Sequence, residues 1–180
     1  MAMGTLQLDD RAPAFNLPSV DGRTYSLEAF ADKPVLVVIF SCNHCPYVQA
    51  YEDRMVATQR DYRDRGVQFV AINSNDDRNY PEDSFERMGA RAKAKGFNFP
   101  YLRDATQTVA QAYGATHTPH LFVFDQERRL RYTGKIDDNW QDPSAVSRHY
   151  LREALDALLQ GSAPTDAKTH AIGCSIKWAH

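Results

Sequence analysis

The chain has 180 residues, with 21 basic and 23 acidic side chains and a formal net charge of −2 at pH 7. A chain of this length buries enough apolar surface to fold without covalent cross-links. The near balance of charge, with no cluster of Lys and Arg, argues against a surface for nucleic acid or anionic lipid. We therefore expect a soluble protein with no nucleic-acid partner and no membrane partner.

The N-terminal sequence MAMGTLQLDDRAPAF contains no basic leader, no long apolar run and no small-residue cleavage site. A secretory signal is therefore not expected. The longest apolar run, residues 35–40, is far too short to cross a bilayer. These features predict a cytoplasmic protein. In a reducing compartment, three cysteines indicate reactive thiols or a metal site rather than a structural disulfide.

The first half of the chain predicts a small hairpin followed by a strand–helix–strand unit. The segment FNLPSVDGRTYSLEAF, residues 15–30, is typical of a hairpin with an Asp-Gly turn. Apolar, β-branched runs at 35–40 and 67–72 predict strands that are covered on both faces. Helical spacing between these runs, closed by Gly66, predicts a helix, so the two strands would be parallel.

The second half predicts three helices, a short extended piece at 97–104 and a second hairpin at 120–136. The helices are predicted over 81–96, 105–114 and 143–161 from their terminal residues or apolar stripes. Together these elements predict an α/β protein. Its mostly parallel central sheet would carry an antiparallel hairpin at one edge and helices on both faces.

The motif Cys42-Asn43-His44-Cys45 lies where the first long strand gives way to a helix. Unpaired backbone N–H groups and the helix dipole favour a negative charge there. The pKa of a free cysteine, near ~8.5, falls to roughly 3.5–7.5 at such positions. We expect Cys42 to attack a disulfide and Cys45 to resolve the mixed intermediate. His44 would favour the thiolate of Cys42.

A metal site is the main alternative for these residues. The chain has no second close cysteine pair and no histidine pair at zinc-finger spacing. However, His117 and His120 flank Pro119 and could complete a copper or zinc site if both turned toward the cysteines. Otherwise they are surface or strand-end histidines. From base rates alone the Thr118–Pro119 bond would be trans.

A CxxC pair at a strand-to-helix junction, with a Thr-Pro before a later hairpin, resembles the thioredoxin superfamily. Residues 12–41, APAFNLPSVDGRTYSLEAFADKPVLVVIFS, resemble its alkyl hydroperoxide reductase/thiol-specific antioxidant branch. The resemblance implies a thioredoxin-like fold: a central mixed sheet with helices on both faces and an N-terminal hairpin extension. It also implies a cis Pro119 beside the cysteines. We expect a single domain over 1–180, with a core at about 12–160 and a C-terminal tail, 163–180, packed on it or trailing from it.

The tail sequence IGCSIKW, residues 172–178, is similar to that of a peroxiredoxin-like group that carries CxxC. This resemblance implies that Cys174 is a third thiol able to exchange with the pair. In such an alignment Cys45 falls on the peroxidatic cysteine of peroxiredoxins. Cys42 stands where their Thr helps to hold peroxide, and their Arg is replaced around Pro119. Peroxide reduction is therefore a weaker expectation than dithiol exchange.

The sequence thus predicts a thiol–disulfide oxidoreductase with an antioxidant role as an extension of that chemistry, and no cofactor. Its partners would be protein or small-molecule disulfides and thiols, with a reductase or a thioredoxin as electron donor. Two alternatives stay open: a thiol peroxidase acting through Cys45, and a copper- or zinc-binding module built from the cysteine pair and histidines. The candidate catalytic residues are Cys42, Cys45, Pro119, His44 and Cys174.

Overall fold

The computed structural model describes residues 4–180; residues 1–3 of the predicted domain lie outside this range. The predicted N-terminal hairpin is present, and its two strands are antiparallel. Its turn contains Gly22 at a φ of 88°, a left-handed conformation that glycine adopts without steric cost. The hairpin consists of β1 (Asn16–Pro18) and β2 (Thr24–Ser26).

The remaining strands form a central sheet and a small two-stranded one. The central strands are β3 (Val35–Ser41), β4 (Val67–Asn73), β5 (Tyr101–Arg103), β7 (His120–Phe124) and β8 (Leu130–Gly134). The small sheet pairs β6 (His117–Thr118) with β9 (Cys174–Ser175). The central order is β5-β4-β3-β7-β8, with β3, β4 and β5 parallel and β7 antiparallel to both its neighbours. The sheet is therefore mixed, as predicted.

Four α-helices connect or follow these strands. They are α1 (Pro46–Tyr62), α2 (Phe85–Lys95), α3 (Thr108–Tyr113) and α4 (Tyr150–Leu159). The predicted second helix begins with a short 3₁₀ turn, and α2 itself starts after Ser84, whose side chain accepts a hydrogen bond from the Arg87 amide. Within residues 4–180, every helix is too short or too polar to cross a membrane.

The strand β3 is buried on both faces because each face of the sheet has its own apolar layer. Val37 and Ile39 point to the layer that contains side chains of α1, α2 and α4. Val38 and Phe40 point to the opposite layer, which contains α3 and residues from before β3. Alternating side chains of one strand thus serve two cores. This explains the run of apolar residues without polar alternation.

The last helix is shorter than predicted: α4 starts at Tyr150 rather than 143. Residues 143–145 form a single 3₁₀ turn, which the Asp142 side chain caps by accepting a hydrogen bond from the Ser144 amide. The next residues are held by Asp138, which accepts from the Ser147 amide. Short polar side chains of this kind compete with helical hydrogen bonding.

The C-terminal tail packs against the body of the protein. Ile176 is buried in the same apolar layer as α3, and its amide donates to the Thr116 carbonyl oxygen over 3.0 Å. Farther along, the Asp76 amide donates to the Lys177 carbonyl oxygen over 2.7 Å. These contacts fix the segment that carries Cys174.

The aromatic cluster around Phe122 provides a test of the core. Phe122 is 0% exposed and makes edge contacts with Phe40 and Tyr113 at centroid distances of 5.7 and 5.5 Å. Removing a buried ring of this kind costs about 3–5 kcal/mol, so Phe122→Ala should lower the free energy of unfolding by that amount in denaturant titration. Phe85→Ala is the matched control, because Phe85 is 42% exposed and should change stability by no more than about 0.5 kcal/mol. Equal losses in the two variants would contradict the assigned core.

Candidate active site

All three cysteines of the chain meet at one point. The strand β3 ends at Ser41, and Cys45 is the residue that caps the start of α1. Cys42 is 1% exposed and Cys45 is 0% exposed. Cys174 arrives from the tail, and its Sγ lies 2.7 Å from the Sγ of Cys45. All three are free thiols in this structure, and the contact brings together residues that are 129 positions apart.

The segment around Thr118 forms the other wall of this thiol cluster, which comprises Cys42, Cys45 and Cys174. The Thr118–Pro119 peptide bond is cis, as the family resemblance implied and base rates did not. The Thr118 hydroxyl oxygen lies 3.4 Å from the Sγ of Cys42, and its carbonyl oxygen lies 3.5 Å from the Sγ of Cys45. Sequence reasoning singled out Pro119 but not Thr118, which makes the contacts.

The surroundings of Cys42 and Cys45 shift the pKa values of the two thiols in opposite directions, and they favour an anion on Cys45 over the expected one on Cys42. A hydrogen bond from the Cys42 side chain lowers the pKa of Cys45 to about 4, and the Cys174 thiol adds to this effect. The Val48 amide contributes too, although the sulfur makes no aligned capping hydrogen bond. The pKa of Cys42 is strongly raised by its interaction with Cys45 and by burial. Burial also raises the pKa of Cys174 to about 11.

His44 contacts Asp83, and one of its ring nitrogens also lies within 4.8 Å of the Sγ of Cys42. Its Nδ1 lies 2.6 Å from Asp83 Oδ2, in close contact but without the alignment of a hydrogen bond. The imidazole also stacks on the ring of Tyr80, with centroids 5.9 Å apart. Asp83 brings a negative charge near Cys42, which helps to raise the pKa of that thiol.

A buried polar network holds the loop between the two cysteines. The carboxylate of Asp83 is inaccessible to solvent and accepts a 2.7 Å hydrogen bond from the Asn43 amide. It also accepts from the side-chain amides of Asn73 and Asn75, over 3.1 and 3.0 Å. The Tyr101 hydroxyl donates to the side-chain oxygen of Asn43 over 2.7 Å. This arrangement satisfies a buried charge with several donors.

Sequence analysis missed this network because residues 73–77 have the composition of an ordinary polar turn. One signal was present: Asn73 directly follows the buried part of β4, which is parallel to β3. The carboxyl ends of parallel strands meet at the same sheet edge, which places Asn73 beside the cysteine loop.

The two histidines beside Pro119 do not join the thiol cluster. His120 is buried, packs on Phe122 and accepts a hydrogen bond from the Thr116 amide at Nδ1, and its burial lowers its pKa to about 4. His117 contacts the Thr116 hydroxyl over 2.8 Å. The alternative copper or zinc site, which required both histidines to turn toward the cysteines, is therefore not assembled among residues 4–180.

One group of metal-binding residue types does come together within residues 4–180. Potential donor atoms of Cys42, His44 and Asp83 lie within 4.8 Å of one another. The oxygens of Asp83 are already occupied by Asn43, Asn73 and Asn75, and His44 contacts the same carboxylate. We therefore assign these three side chains to the buried network rather than to an ion.

Solved structures identify the fold of the protein. The thioredoxin domain of a thiol-disulfide oxidoreductase from Bacteroides vulgatus superposes with a TM-score of 0.61 at 18% identity, covering 70% of this chain and 86% of that one. The predicted thioredoxin-like fold is thus confirmed. The chain belongs to the Redoxin family, whose sequence profile matches residues 7–148.

A nearly full-length relative is a hypothetical protein of Sinorhizobium meliloti 1021. Its crystal structure has a TM-score of 0.92 and 43% identity, and covers 98% of this chain and 97% of that one. A Mycobacterium tuberculosis protein provisionally named a peroxiredoxin is 25% identical, over 72% of this chain and 78% of its own. The thiol-disulfide oxidoreductase ResA of Geobacillus thermodenitrificans is 25% identical over 67% of this chain and 64% of its own. Family and relatives support an oxidoreductase.

The assigned thiolate can be tested by ultraviolet titration. Because the pKa of Cys45 in the folded protein lies well below that of an ordinary cysteine, the thiolate should persist at neutral pH and its absorbance should disappear as the pH falls through about 4. Cys45→Ser should lack this transition. Cys174→Ala should retain it with a raised midpoint, since the thiolate loses a donor. Circular dichroism would show that the fold persists. Loss of the acidic transition in Cys42→Ser, with retention in Cys45→Ser, would reverse the assignment.

The network around Asp83 makes a separate prediction about stability. Asp83→Ala leaves the Asn43 amide and two side-chain amides without their acceptor. Each buried donor left without an acceptor costs roughly 1–3 kcal/mol. We therefore expect the free energy of unfolding to fall by about 3 kcal/mol or more in denaturant titration. The control is Asp64→Ala, since Asp64 is 91% exposed and its loss should change little. A small effect of Asp83→Ala would contradict the assignment of Asp83 as the acceptor on which these three donors depend.

Proposed function

We propose that this protein is a thiol–disulfide oxidoreductase in which Cys45 is the reactive thiolate, and Cys42 and Cys174 are the two sulfurs with which it forms disulfides. The observation that carries the proposal is the contact of Cys45 with two other thiols at the start of α1, together with its lowered pKa. Thiolates, not thiols, perform disulfide exchange. The kinship with ResA, whose name states this activity, supports the same chemistry.

The roles of the other candidates follow from their contacts. Cys42 is the neutral thiol that stabilises the Cys45 anion and becomes its partner when the dithiol is oxidised. Pro119 would fix the backbone that turns Thr118 toward both sulfurs. His44 would act as a positioning residue, through its contact with Asp83.

Exchange by this cluster would move two electrons. Two thiols lose two electrons and two protons to become a disulfide, and a substrate disulfide gains them and becomes two thiols. Stabilisation of the Cys45 anion favours the reduced state, so the protein disulfide should be comparatively oxidising. A reductase or a thioredoxin would then return it to the dithiol. An antioxidant role would follow wherever the substrate disulfide arises from oxidative damage.

The proposal is tested by the reaction of reduced protein with hydroxyethyl disulfide. The wild type should end with one disulfide and one free thiol, because the chain has three cysteines. Cys45→Ser should form a disulfide within the protein about 100-fold more slowly or not at all, since the remaining thiols are largely protonated at neutral pH. Cys42→Ser should still form a disulfide between Cys45 and Cys174. Thiol counting and peptide mapping give the readout, and full reactivity of Cys45→Ser would refute the proposal.

A thiol peroxidase is the second candidate, and the lowered pKa of Cys45 is the observation that favours it. Its thiolate would attack a peroxide oxygen to give a sulfenic acid and an alcohol or water, after which a second thiol would condense with the sulfenic acid and release water. The groups around Cys45 are thiols and the Thr118 carbonyl, which offer no positive charge to the peroxide. Stopped-flow mixing with hydrogen peroxide and a sulfenic-acid trap separates the candidates: rapid trapping at micromolar peroxide would favour the peroxidase.

A further inference from the structure

The three sulfurs differ in how they can be reached from solvent. Cys42 and Cys45 are 1% and 0% exposed, so a substrate cannot touch either without movement of the protein. Cys174 is partly exposed and is in direct contact with Cys45. The proposed reactive sulfur, on Cys45, is therefore buried, and the partly exposed sulfur of Cys174 lies next to it.

The tail strand that carries Cys174 also occupies a sheet edge beside the cluster. In the register of the β6–β9 pair, Cys174 lies opposite Thr118. Gly173 approaches so closely that a Cβ placed on it would lie 2.0 Å from the Thr118 carbonyl oxygen. Extended segments of protein partners bind by adding a strand to an open edge. Here the protein's own strand covers that edge.

The tail residues that follow Cys174 are held by several contacts with the body of the protein. Besides the buried Ile176, the Lys177 amide donates to the side-chain oxygen of Asn75 over 2.9 Å, and the side-chain amide of Gln107 donates to the Lys177 carbonyl oxygen over 2.9 Å. Asn75 in turn binds Asp83, so the tail is joined to the network that holds the cysteine loop. Cys174 is thus a fixed part of the site.

We propose that Cys174 is the sulfur through which the site exchanges with its surroundings, and that the substrate is a low-molecular-weight disulfide rather than the disulfide of a protein. This inference rests on the proposed function and specifies its substrate class. A small disulfide needs only one reachable sulfur, whereas a protein disulfide also needs room for its backbone.

The exchange can be written with all atoms and electrons accounted for. As the Cys174 sulfur attacks a disulfide RSSR, a bond to one RS group forms, and the other RS group leaves with the Cys174 proton as RSH. The Cys45 thiolate then attacks the Cys174 sulfur and expels the second RS⁻, which takes a proton from water. Finally Cys42 displaces Cys174 from Cys45, transferring its proton to Cys174. The protein loses two electrons, and two RSH molecules are formed.

The test compares the full-length protein and its variants with hydroxyethyl disulfide and with insulin as probes. The wild type should oxidise rapidly with the small disulfide and at least about tenfold more slowly, per disulfide, with insulin. Cys174→Ser should slow the reaction with the small disulfide by about tenfold or more, because the buried Cys45 loses its exposed partner. Rapid acid quenching of the wild type should show the first hydroxyethyl adduct on Cys174.

A steric variant tests the covered edge independently of sulfur chemistry. In Gly173→Ala the added methyl cannot fit against Thr118, so the strand should move off, exchange with the small disulfide should fall and reaction with insulin should rise. Gly89→Ala is the matched control, since a Cβ there meets only Val20 at 3.9 Å and both reactions should stay unchanged.

The outcomes separate this inference from the proposed function. Equal rates with insulin and the small disulfide in the wild type, or a first adduct on Cys42 or Cys45, would overturn the inference and leave the oxidoreductase intact. Unchanged exchange in both Cys174→Ser and Gly173→Ala would do the same. If the wild type reacts with neither probe, the proposed function fails and the inference falls with it.

Discussion

The proposed sulfur anion on the buried Cys45 requires hydrogen-bond donors in place of the water it has lost, and the contacts of the site meet that requirement. The groups that lower the pKa of Cys45 are the Cys42 and Cys174 thiols and the backbone amides of Val48 and Cys174. Each comes from a different part of the chain: the loop after β3 supplies Cys42, and the tail supplies Cys174. The cis Thr118–Pro119 segment closes the cluster on the remaining side. The fold therefore brings three segments that are distant in sequence together around the sulfur of Cys45.

The surroundings of the two cysteines push their pKa values apart. The pKa of Cys42 is raised by its interaction with Cys45 and by burial, and the nearby negative charge of Asp83 adds to this effect. Cys45 stands at the helix start, where the Cys42 and Cys174 thiols lower its pKa. Two chemically identical side chains three positions apart thus have pKa values pushed in opposite directions. Such a separation is how proteins assign distinct roles to like groups.

Sequence predicted the parts of this protein that depend on local pattern. The strands β3 and β4 were predicted to within one residue, because β-branched runs buried on both faces leave a strong signature. The junction of strand, cysteine pair and helix was predicted for the same reason. The start of α4 was missed, since Asp138 and Asp142 bind nearby amides and compete with the helix.

The sequence could not show how far apart the three sulfurs lie or which cysteine has the lowered pKa. The pKa values of the two cysteines depend on which residue caps α1 and on the carboxylate of Asp83, 41 positions beyond Cys42. Neither feature can be read from a four-residue motif. The contact of Cys45 with Cys174 depends on β9 pairing with β6. The grouping of the three cysteines was suggested only by a family resemblance, and the tertiary structure provides its geometry.

The pairing of β9 with β6 has a consequence for biosynthesis. Chains leave the ribosome from the N-terminus, and the sheet and helices up to α4 can form while the tail is still being made. During that interval the nascent protein carries the cysteine loop without Cys174, so the edge at Thr118 is open and the sulfur of Cys45 lacks one of its donors. The complete thiol centre can therefore form only after residues 174–175 have been synthesised and have paired with β6.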